Sequence, residues 1–274
     1  MPEGDTVYRT ARNLHLALAG QRLVGADLRV PRLATADLVG WTVTSCASRG
    51  KHLLLRLHPP GPGQPLTLHS HLGMDGSWRI HPAGAGAPAR QAHLVRAVLR
   101  TSATVTVGYQ LRDLSLVPTD REDDLLAGLG PDLLDPEVDL AEAARRLARD
   151  PTATVASALR DQGNLAGIGN VYCAELLFLR GLWPWTPVGA VADLPALVRL
   201  AHRVLMANRE RAVRTTTGSL RRGGTTYVYA RAGTPCRRCG TTVQKGEEGG
   251  RVVYWCPTCQ PLPEIHPAGP DRRG

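Results

Sequence analysis

The sequence predicts an α+β protein in which an N-terminal helix precedes a β-sandwich and a helical region follows it. Short β-favouring runs separated by turn-rich segments fill residues 22–117 with no helical pattern between them, which is typical of a sandwich. After Pro118 the apolar residues recur at helical spacing. The four cysteines of residues 228–260 fit neither pattern and indicate a third, smaller module.

The first helix is predicted over residues 5–19, where apolar side chains recur every three or four positions. Asp5 or Thr6 is expected to cap this helix and Gly20 to end it. Runs of β-branched and other apolar residues predict seven sandwich strands: 23–30, 41–47, 52–57, 66–70, 77–81, 93–99 and 103–107.

Five helices are predicted in the second half, at 120–129, 140–149, 154–161, 171–179 and 194–208. The basic, Gly- and Thr-rich segment 209–226 is expected to be a loop. The resulting organisation has a sandwich domain at 1–118, a helical domain at 119–226 and a cysteine module at 227–262. Residues 263–274, rich in proline and without a pattern, are expected to be a disordered tail.

Charge favours a nucleic-acid partner. The net charge of the 274 residues is +9, and residues 209–251 hold ten basic and three acidic side chains. Such an excess attracts phosphate polymers, whereas no apolar run approaches the roughly 20 residues needed to cross a bilayer. The N-terminus has no secretory-signal pattern, so we expect a cytoplasmic chain that does not bind membranes.

The cysteine module predicts one structural zinc ion. Two Cys-x2-Cys pairs, Cys236/Cys239 and Cys256/Cys259, are separated by sixteen residues, a spacing typical of a zinc ribbon. Residues 241–244 and 251–255 are expected to pair as a hairpin, with 245–250 as its tip. Four protein ligands leave no position for a catalytic water. Cys46 and Cys173, which stand alone, are expected to be buried.

Arg251 lies near the tip of this hairpin, five residues before Cys256. An arginine at such a position is commonly a solvated surface charge. On a basic protein, a rigid hairpin is also suited to present the guanidinium to a phosphate.

A glycine-rich run lies between two predicted helices at residues 161–172. A helix beginning at Asn170 or Val171 presents the positive end of its dipole to an anion. Gly167 and Gly169 remove side chains that would keep a DNA backbone away. An asparagine here is also an ordinary N-cap, and neither a preceding strand nor a following Lys-Ser/Thr supports a P-loop.

The N-terminus and one lysine suggest covalent chemistry. Removal of the initiator methionine would make Pro2 the terminal residue, and its secondary amine can attack an aldehyde-like carbon to form an iminium ion. Glu3 beside it can transfer protons. Lys51, one of only two lysines in the chain, opens a predicted strand and can bind phosphate or donate a proton.

Four separated motifs, taken together, resemble the formamidopyrimidine-DNA glycosylase/endonuclease VIII family. They are Pro2-Glu3-Gly4-Asp5-Thr6-Val7, Arg49-Gly50-Lys51-His52-Leu53, the run from Gln162 to Tyr172, and the cysteine module ending at Gln260. They occur in the family's order from residue 2 to residue 260. The Pro-Glu-Gly start is more similar to the endonuclease VIII branch than to the 8-oxoguanine branch.

The resemblance implies a base-excision repair enzyme with DNA glycosylase and AP-lyase activities, acting on double-stranded DNA that carries damaged bases or abasic sites. Pro2 matches the family's nucleophile and Glu3 its general acid/base. Lys51 corresponds to the strand lysine that binds phosphate and donates a proton in β-elimination. Asn170 aligns with the asparagine of the helix-two-turn-helix motif, and Arg251 with the zinc-finger arginine implicated in phosphate binding and δ-elimination.

Base flipping adds a further expectation, because the enzyme must extrude the damaged base and fill the gap that it leaves. Met74 matches the family's intercalating apolar residue, although a methionine near a strand is more often part of a core. We expect the protein to act as a monomer.

Two departures from the family bear on the substrate. Thr6 stands where many members have a second glutamate, and residues 111–115 lack the Arg-Arg-Phe loop of the 8-oxoguanine enzymes. These departures predict a preference for oxidised pyrimidines. The alternatives are an 8-oxoguanine glycosylase of the same family and a non-catalytic zinc-ribbon protein that binds DNA.

Overall fold

The structure is a computed structural model that describes residues 2–84 and 89–262, and the predicted tail at 263–274 lies outside these ranges. The chain forms two compact units. The first unit takes the residues up to Asp139 together with Gln162–Ile168 and His202–Ala212; the second takes Leu140–Asp161, Gly169–Ala201 and the residues from Val213 onward. Each unit combines segments that are distant in sequence.

The first unit begins with helix α1, Gly4–Leu18, which confirms the predicted N-terminal helix. Its apolar stripe is buried, including Val7, Leu14 and Leu18. The expected cap was wrong. Glu3 occupies the N-cap position without a side-chain capping bond, because the helix starts one residue earlier than Asp5.

Among the described residues of the first unit, eight strands follow: β1 Gly25–Leu28, β2 Thr42–Arg49, β3 His52–His58, β4 Leu66–His71, β5 Ser77–Pro82, β6 Val95–Arg100, β7 Thr104–Tyr109 and β8 Asp113–Pro118. They form two antiparallel four-stranded sheets with the orders β1-β6-β7-β5 and β2-β3-β4-β8. Leucines and valines from α1 and from both sheets share one core, so the predicted sandwich is confirmed.

Strand β8 had not been predicted, although it lies within the region expected to be β. It pairs with β4 along its whole length, from Asp113 opposite His71 to Pro118 opposite Leu66. It is an edge strand, in which a terminal proline is tolerated because one side of the backbone needs no partner. Only Leu114 is buried in it, so its hydrophobic pattern is weak.

The remaining helices are α2 Glu122–Leu126, α3 Leu140–Leu147, α4 Val155–Arg160, α5 Asn170–Arg180 and α6 Leu194–Asn208. Helix α6 has the predicted bounds, and α4 has Thr154 as its N-cap, with the hydroxyl accepting from Ser157 N–H. The helix predicted at 120–129 was too long: its helical part ends at Leu126. Within the described part of the chain, segment 209–226 contains no helix or strand, as expected.

A buried carboxylate organises the second unit. Glu175 of α5 is fully buried and accepts backbone hydrogen bonds from Tyr227, Val228 and Tyr229 at 2.7–2.9 Å. Thr216 also donates its hydroxyl to this carboxylate. Three N–H donors compensate a buried negative charge, so Glu175 holds the segment that leads into the cysteine module.

The hairpin of the cysteine module consists of β9, Gln244–Glu248, and β10, Arg251–Trp255. The predicted first strand, 241–244, was therefore placed too early. Gly249 and Gly250 form the turn with φ values of +56° and +70°, because a two-residue hairpin loop requires positive φ at both central positions. Glu248 and Arg251 face each other across this turn.

In the ranges 2–84 and 89–262, every helix is too short or too polar to span a bilayer.

Candidate active site

Two glycines bring the start of α1 onto the glycine-rich turn of the first unit. The N–H of Gly4 donates to the carbonyl oxygen of Gly167 at 2.9 Å. A Cβ on Gly4 would lie 3.0 Å from Gly167 Cα, and Gly167 itself has a φ of +101°. A side chain on Gly4 would push the two segments apart by a few tenths of an ångström, and one on Gly167 would be strained by the positive φ. Gly167 is thus buried in protein packing, and its predicted DNA contact stays a prediction.

The two residues before Gly4 carry the proposed chemistry. Pro2 is partly buried, and Glu3 is fully buried immediately in front of α1. The positive end of the helix dipole favours a carboxylate at this position. Pro2, whose nitrogen would become a secondary amine on removal of Met1, is therefore adjacent to a sheltered carboxyl group at the point where α1 meets the turn at residue 167.

Lys51 reaches the same turn from the β2–β3 hairpin. Its ammonium group donates to the carbonyl oxygen of Ile168, which also accepts from Gln162 Nε2 at 2.9 Å. Gly50 has a φ of +57°, and a Cβ there would lie 3.0 Å from Ala166 Cβ. The predicted motifs at 2–7 and 49–53 therefore meet the part of the 162–172 motif that belongs to the first unit, residues 162–168.

Asp132 was not recognised from the sequence, yet it supports this junction. It is 5% exposed, and its carboxylate accepts from Gly50 N–H at 2.7 Å and from Leu134 N–H at 2.9 Å. Burial raises the pKa of Asp132, and these two hydrogen bonds oppose the rise. Nothing in its local sequence marks it, because both partners are backbone groups.

Three histidines lie beside Lys51 on strands β3 and β4. His52 Nδ1 is 2.9 Å from His69 Nε2, and His69 Nδ1 is 3.1 Å from Ser115 Oγ. The ring of His71 meets that of His52 edge-on, with centroids 5.4 Å apart. Burial, followed by the neighbouring imidazoles, lowers the pKa of His52 to about 4. Burial also lowers the pKa of His69 and of His71.

Met74 lies in the turn between β4 and β5 and is 61% exposed. The alternative that this methionine belongs to a core was therefore wrong. An apolar side chain that projects from a tight turn has the chemistry needed to fill a gap in a base stack.

In the second unit, Asn170 is the first residue of α5 and Gly169 is its N-cap. The N-cap interpretation of Asn170 was wrong, because its side chain bonds elsewhere. Its Nδ2 donates to Val252 O at 2.7 Å, and its Oδ1 accepts from Arg160 at 3.2 Å. Arg251, the neighbour of Val252, is exposed. Sequence reasoning did not identify Arg160, whose partners are distant along the chain.

The four cysteines of the module converge as predicted. The sulfur atoms of Cys236, Cys239, Cys256 and Cys259 all lie within 4.8 Å of one another. Cys236 and Cys259 are 3.9 Å apart, and Cys239 and Cys256 are 3.4 Å apart. Zinc–sulfur bonds of about 2.3 Å in a tetrahedron require sulfur separations near 3.8 Å. The cluster fits one zinc ion, with a purely structural role.

The chain matches two known family models. The model of the formamidopyrimidine-DNA glycosylase N-terminal domain matches residues 1–112, and that of the zinc finger found in FPG and IleRS matches residues 233–262. A probable endonuclease 8 2 of Streptomyces coelicolor is 49% identical, over 98% of this chain and 97% of that protein.

Other relatives extend the comparison. The DNA-(apurinic or apyrimidinic site) lyase Nei2 of Mycolicibacterium smegmatis is 47% identical, over 95% of this chain and 99% of its own length. Among solved structures, the complex between the Lactococcus lactis Fpg and an abasic site containing DNA aligns with a TM-score of 0.78 and 24% identity, over 95% of this chain and all of that one. This last likeness supports the fold.

The histidine cluster predicts an acid-sensitive fold. Because the folded pKa values of these histidines lie below the unfolded value near 6.5, the unfolded chain binds protons that the folded chain does not. Stability should therefore be greatest above pH 6.5 and fall between pH 6.5 and about 4. Urea unfolding at pH 7.5 and 5.5 measures the loss, which should be smaller in His52→Gln. The exposed His58→Gln is the control; an equal loss in both variants would contradict the prediction.

The cysteine cluster predicts one zinc ion per chain. Elemental analysis of the purified protein should give a one-to-one ratio. The double variant Cys239→Ala/Cys256→Ala should lose the metal and the ordered hairpin, because the binding energy of a structural zinc ion is also folding energy. Cys46→Ala, which changes a buried thiol of the first unit, should retain the zinc. A metal-free wild-type chain with full DNA-binding activity would refute this role.

Proposed function

The chain belongs to the endonuclease VIII-like branch of the formamidopyrimidine-DNA glycosylase/endonuclease VIII family, and we propose that it excises oxidised pyrimidines through a Schiff base at Pro2. It is a bifunctional DNA glycosylase and AP lyase of base-excision repair. The observation that carries the Pro2 assignment is the junction at residues 166–168, where Pro2-Glu3 and Lys51 arrive from distant parts of the sequence.

The proposed reaction begins with the terminal amine. The Pro2 nitrogen bonds to C1′ of the damaged nucleotide, and the base leaves with the electron pair of the glycosidic bond. The proton that the Pro2 nitrogen loses goes to the departing base. Glu3 then protonates O4′ as the C1′–O4′ bond opens, which gives an iminium ion whose positive charge acidifies the hydrogens on C2′. Loss of one C2′ proton and departure of the 3′ phosphate cleave the strand. A second elimination releases the 5′ phosphate.

Glu3 is assigned the proton transfers at the sugar. Its burial beside Pro2 keeps water away from the carboxyl group. General acid–base catalysis by one such group contributes on the order of 10²–10⁴ in rate. Lys51 is assigned phosphate binding and protonation during β-elimination.

The DNA-binding roles are assigned to both units. Met74 fills the gap left by the extruded base, while Gly167 and Gly169 leave room for the backbone. Asn170 and Arg251 bind phosphates, and Arg251 also takes part in δ-elimination. Cys236, Cys239, Cys256 and Cys259 hold the zinc ion. Residues 1–118, 119–226 and 227–262 act as the catalytic, helix-two-turn-helix and zinc-ribbon domains of a cytoplasmic, nucleoid-associated monomer.

Borohydride trapping tests the nucleophile. A chain whose initiator methionine has been removed should become covalently linked to duplex DNA with an abasic site. A Gly-Ser extension before Pro2 should abolish the adduct, because the amine is then an amide. Glu3→Gln should lower base excision by about 10² or more while leaving part of the lyase activity on a preformed abasic site.

The control for Glu3→Gln is Glu137→Gln, which neutralises an exposed carboxylate of the same unit. If the extended chain is still trapped, the nucleophile must be another amine, and Lys51 is the first candidate. A folded chain that binds DNA and forms no adduct in any form would instead be the non-catalytic alternative.

A lesion panel tests the substrate class. Single-turnover excision should be at least about tenfold faster on thymine glycol and 5-hydroxyuracil than on 8-oxoguanine opposite cytosine, a difference of roughly 1.4 kcal/mol in barrier. The reason is the absence of the Arg-Arg-Phe loop at 111–115. Strong 8-oxoguanine excision without pyrimidine activity would favour the other branch's specificity.

A further inference from the structure

A buried ion pair ties α4 of the second unit to the zinc-ribbon hairpin. The guanidinium of Arg160 bonds the carboxylate of Glu248, and the two side chains are only 8% and 9% exposed. The Thr154 hydroxyl donates to the other carboxylate oxygen at 2.7 Å. Glu248, the last residue of β9, therefore bonds both ends of α4: its N-cap residue Thr154 and its last residue Arg160.

The same guanidinium reaches the start of α5. Arg160 Nη1 donates to Asn170 Oδ1 at 3.2 Å, and Asn170 Nδ2 donates to Val252 O at 2.7 Å. These two bonds determine which way the Asn170 amide faces. They also link Asn170 to β10 at the residue next to Arg251.

The charges of this network leave a positive excess. Burial lowers the pKa of Arg160, and the positive charge of Arg251 acts in the same direction, so the two arginines are electrostatic neighbours. Glu248 neutralises one of them. The remaining positive charge, on Arg251, belongs to the residue next to Val252, whose carbonyl oxygen bonds Asn170 at the first position of α5, and the dipole of that helix also favours an anion.

Stability alone is a weak reason for such a pair. Replacing a buried ion pair by apolar side chains of similar volume is often neutral or stabilising, whereas an oriented guanidinium contributes several donors with defined directions. Arg160 uses two of its nitrogens on two different elements, Glu248 of the hairpin and Asn170 of α5.

We propose that Arg160 is a positioning residue for phosphate binding, which orients the amide of Asn170 and holds the hairpin strand that carries Arg251. The inference rests on the phosphate roles proposed above for Asn170 and Arg251. With Oδ1 occupied by Arg160 and one amide hydrogen on Val252 O, the second hydrogen of the NH2 group is the one that we assign to a phosphate oxygen.

The test is the affinity for a duplex with a tetrahydrofuran abasic-site analogue, measured over a range of salt concentrations. Arg160→Met should weaken binding about tenfold and make the slope of log K against log salt less negative by about one to two, because one or two phosphate contacts are lost. The apparent KM for abasic-site duplex should rise by a similar factor, while kcat changes less than about threefold.

Two further variants separate positioning from a merely structural role. Arg160→Lys keeps the charge beside Glu248 but has a single nitrogen, so it should restore the melting temperature without restoring the affinity or the salt slope. Arg145→Met removes one positive charge from an arginine whose side chain is 72% exposed, and it should behave like wild type. If Arg160→Met lowers the melting temperature but leaves the affinity and the slope of log K against log salt unchanged, Arg160 has only a structural role.

Asn170→Ala and Arg251→Ala distinguish the two levels of proposal. If neither changes affinity or slope, the proposed phosphate roles fail. If both weaken binding and Arg160→Met does not, only the positioning inference fails. Adding Arg160→Met to the double variant Asn170→Ala/Arg251→Ala should have little further effect, because interacting residues are not additive; a full additional tenfold loss would show that Arg160 binds DNA by itself.

Discussion

The first unit depends on a close contact between the backbones of two glycines, Gly4 and Gly167. Gly4 and Gly167 approach until the N–H of one bonds the carbonyl oxygen of the other at 2.9 Å, and a Cβ on Gly4 would lie 3.0 Å from Gly167. This approach places the residue pair before α1 beside the turn that also receives Lys51. The glycines of both motifs are thus constraints on where the reactive groups lie, before any contact with DNA is considered.

Buried carboxylates maintain these positions in both units by accepting backbone N–H groups. Asp132 accepts from Gly50 and so holds the hairpin of Lys51, while Glu175 accepts from three successive residues before the cysteine module. A buried charge without such donors would be strongly unfavourable. Each carboxylate therefore enforces one conformation of the backbone segment that donates to it.

Local patterns in the sequence were sufficient to predict most helices and strands. They were not sufficient to predict the contacts between segments that are distant in sequence. The helical spacing of residues 194–208 and the cysteine spacing gave α6 and the metal cluster, because both depend on neighbouring residues. The edge strand β8 has a weak apolar pattern and was missed. The first strand of the zinc-ribbon hairpin was predicted too early in the sequence, because Gly249 and Gly250, and not the cysteine pairs, determine the register of the hairpin. Asp132 bonds Gly50, 82 residues away, and Arg160 bonds Glu248, 88 residues away, and no local pattern reveals such contacts.

The polar network of the second unit illustrates why orientation and affinity are separate requirements. A phosphate oxygen is recognised by donors at defined directions, and a flexible amide or guanidinium loses rotamer entropy each time it binds. Asn170 makes two hydrogen bonds within the protein, to Arg160 and to Val252 O, so its amide is ordered before the ligand arrives. The desolvation of the Arg160–Glu248 pair is then a cost incurred in folding and not in binding. For the phosphate role proposed for Asn170, this order means that a bound phosphate would be held in one orientation without further ordering of the amide.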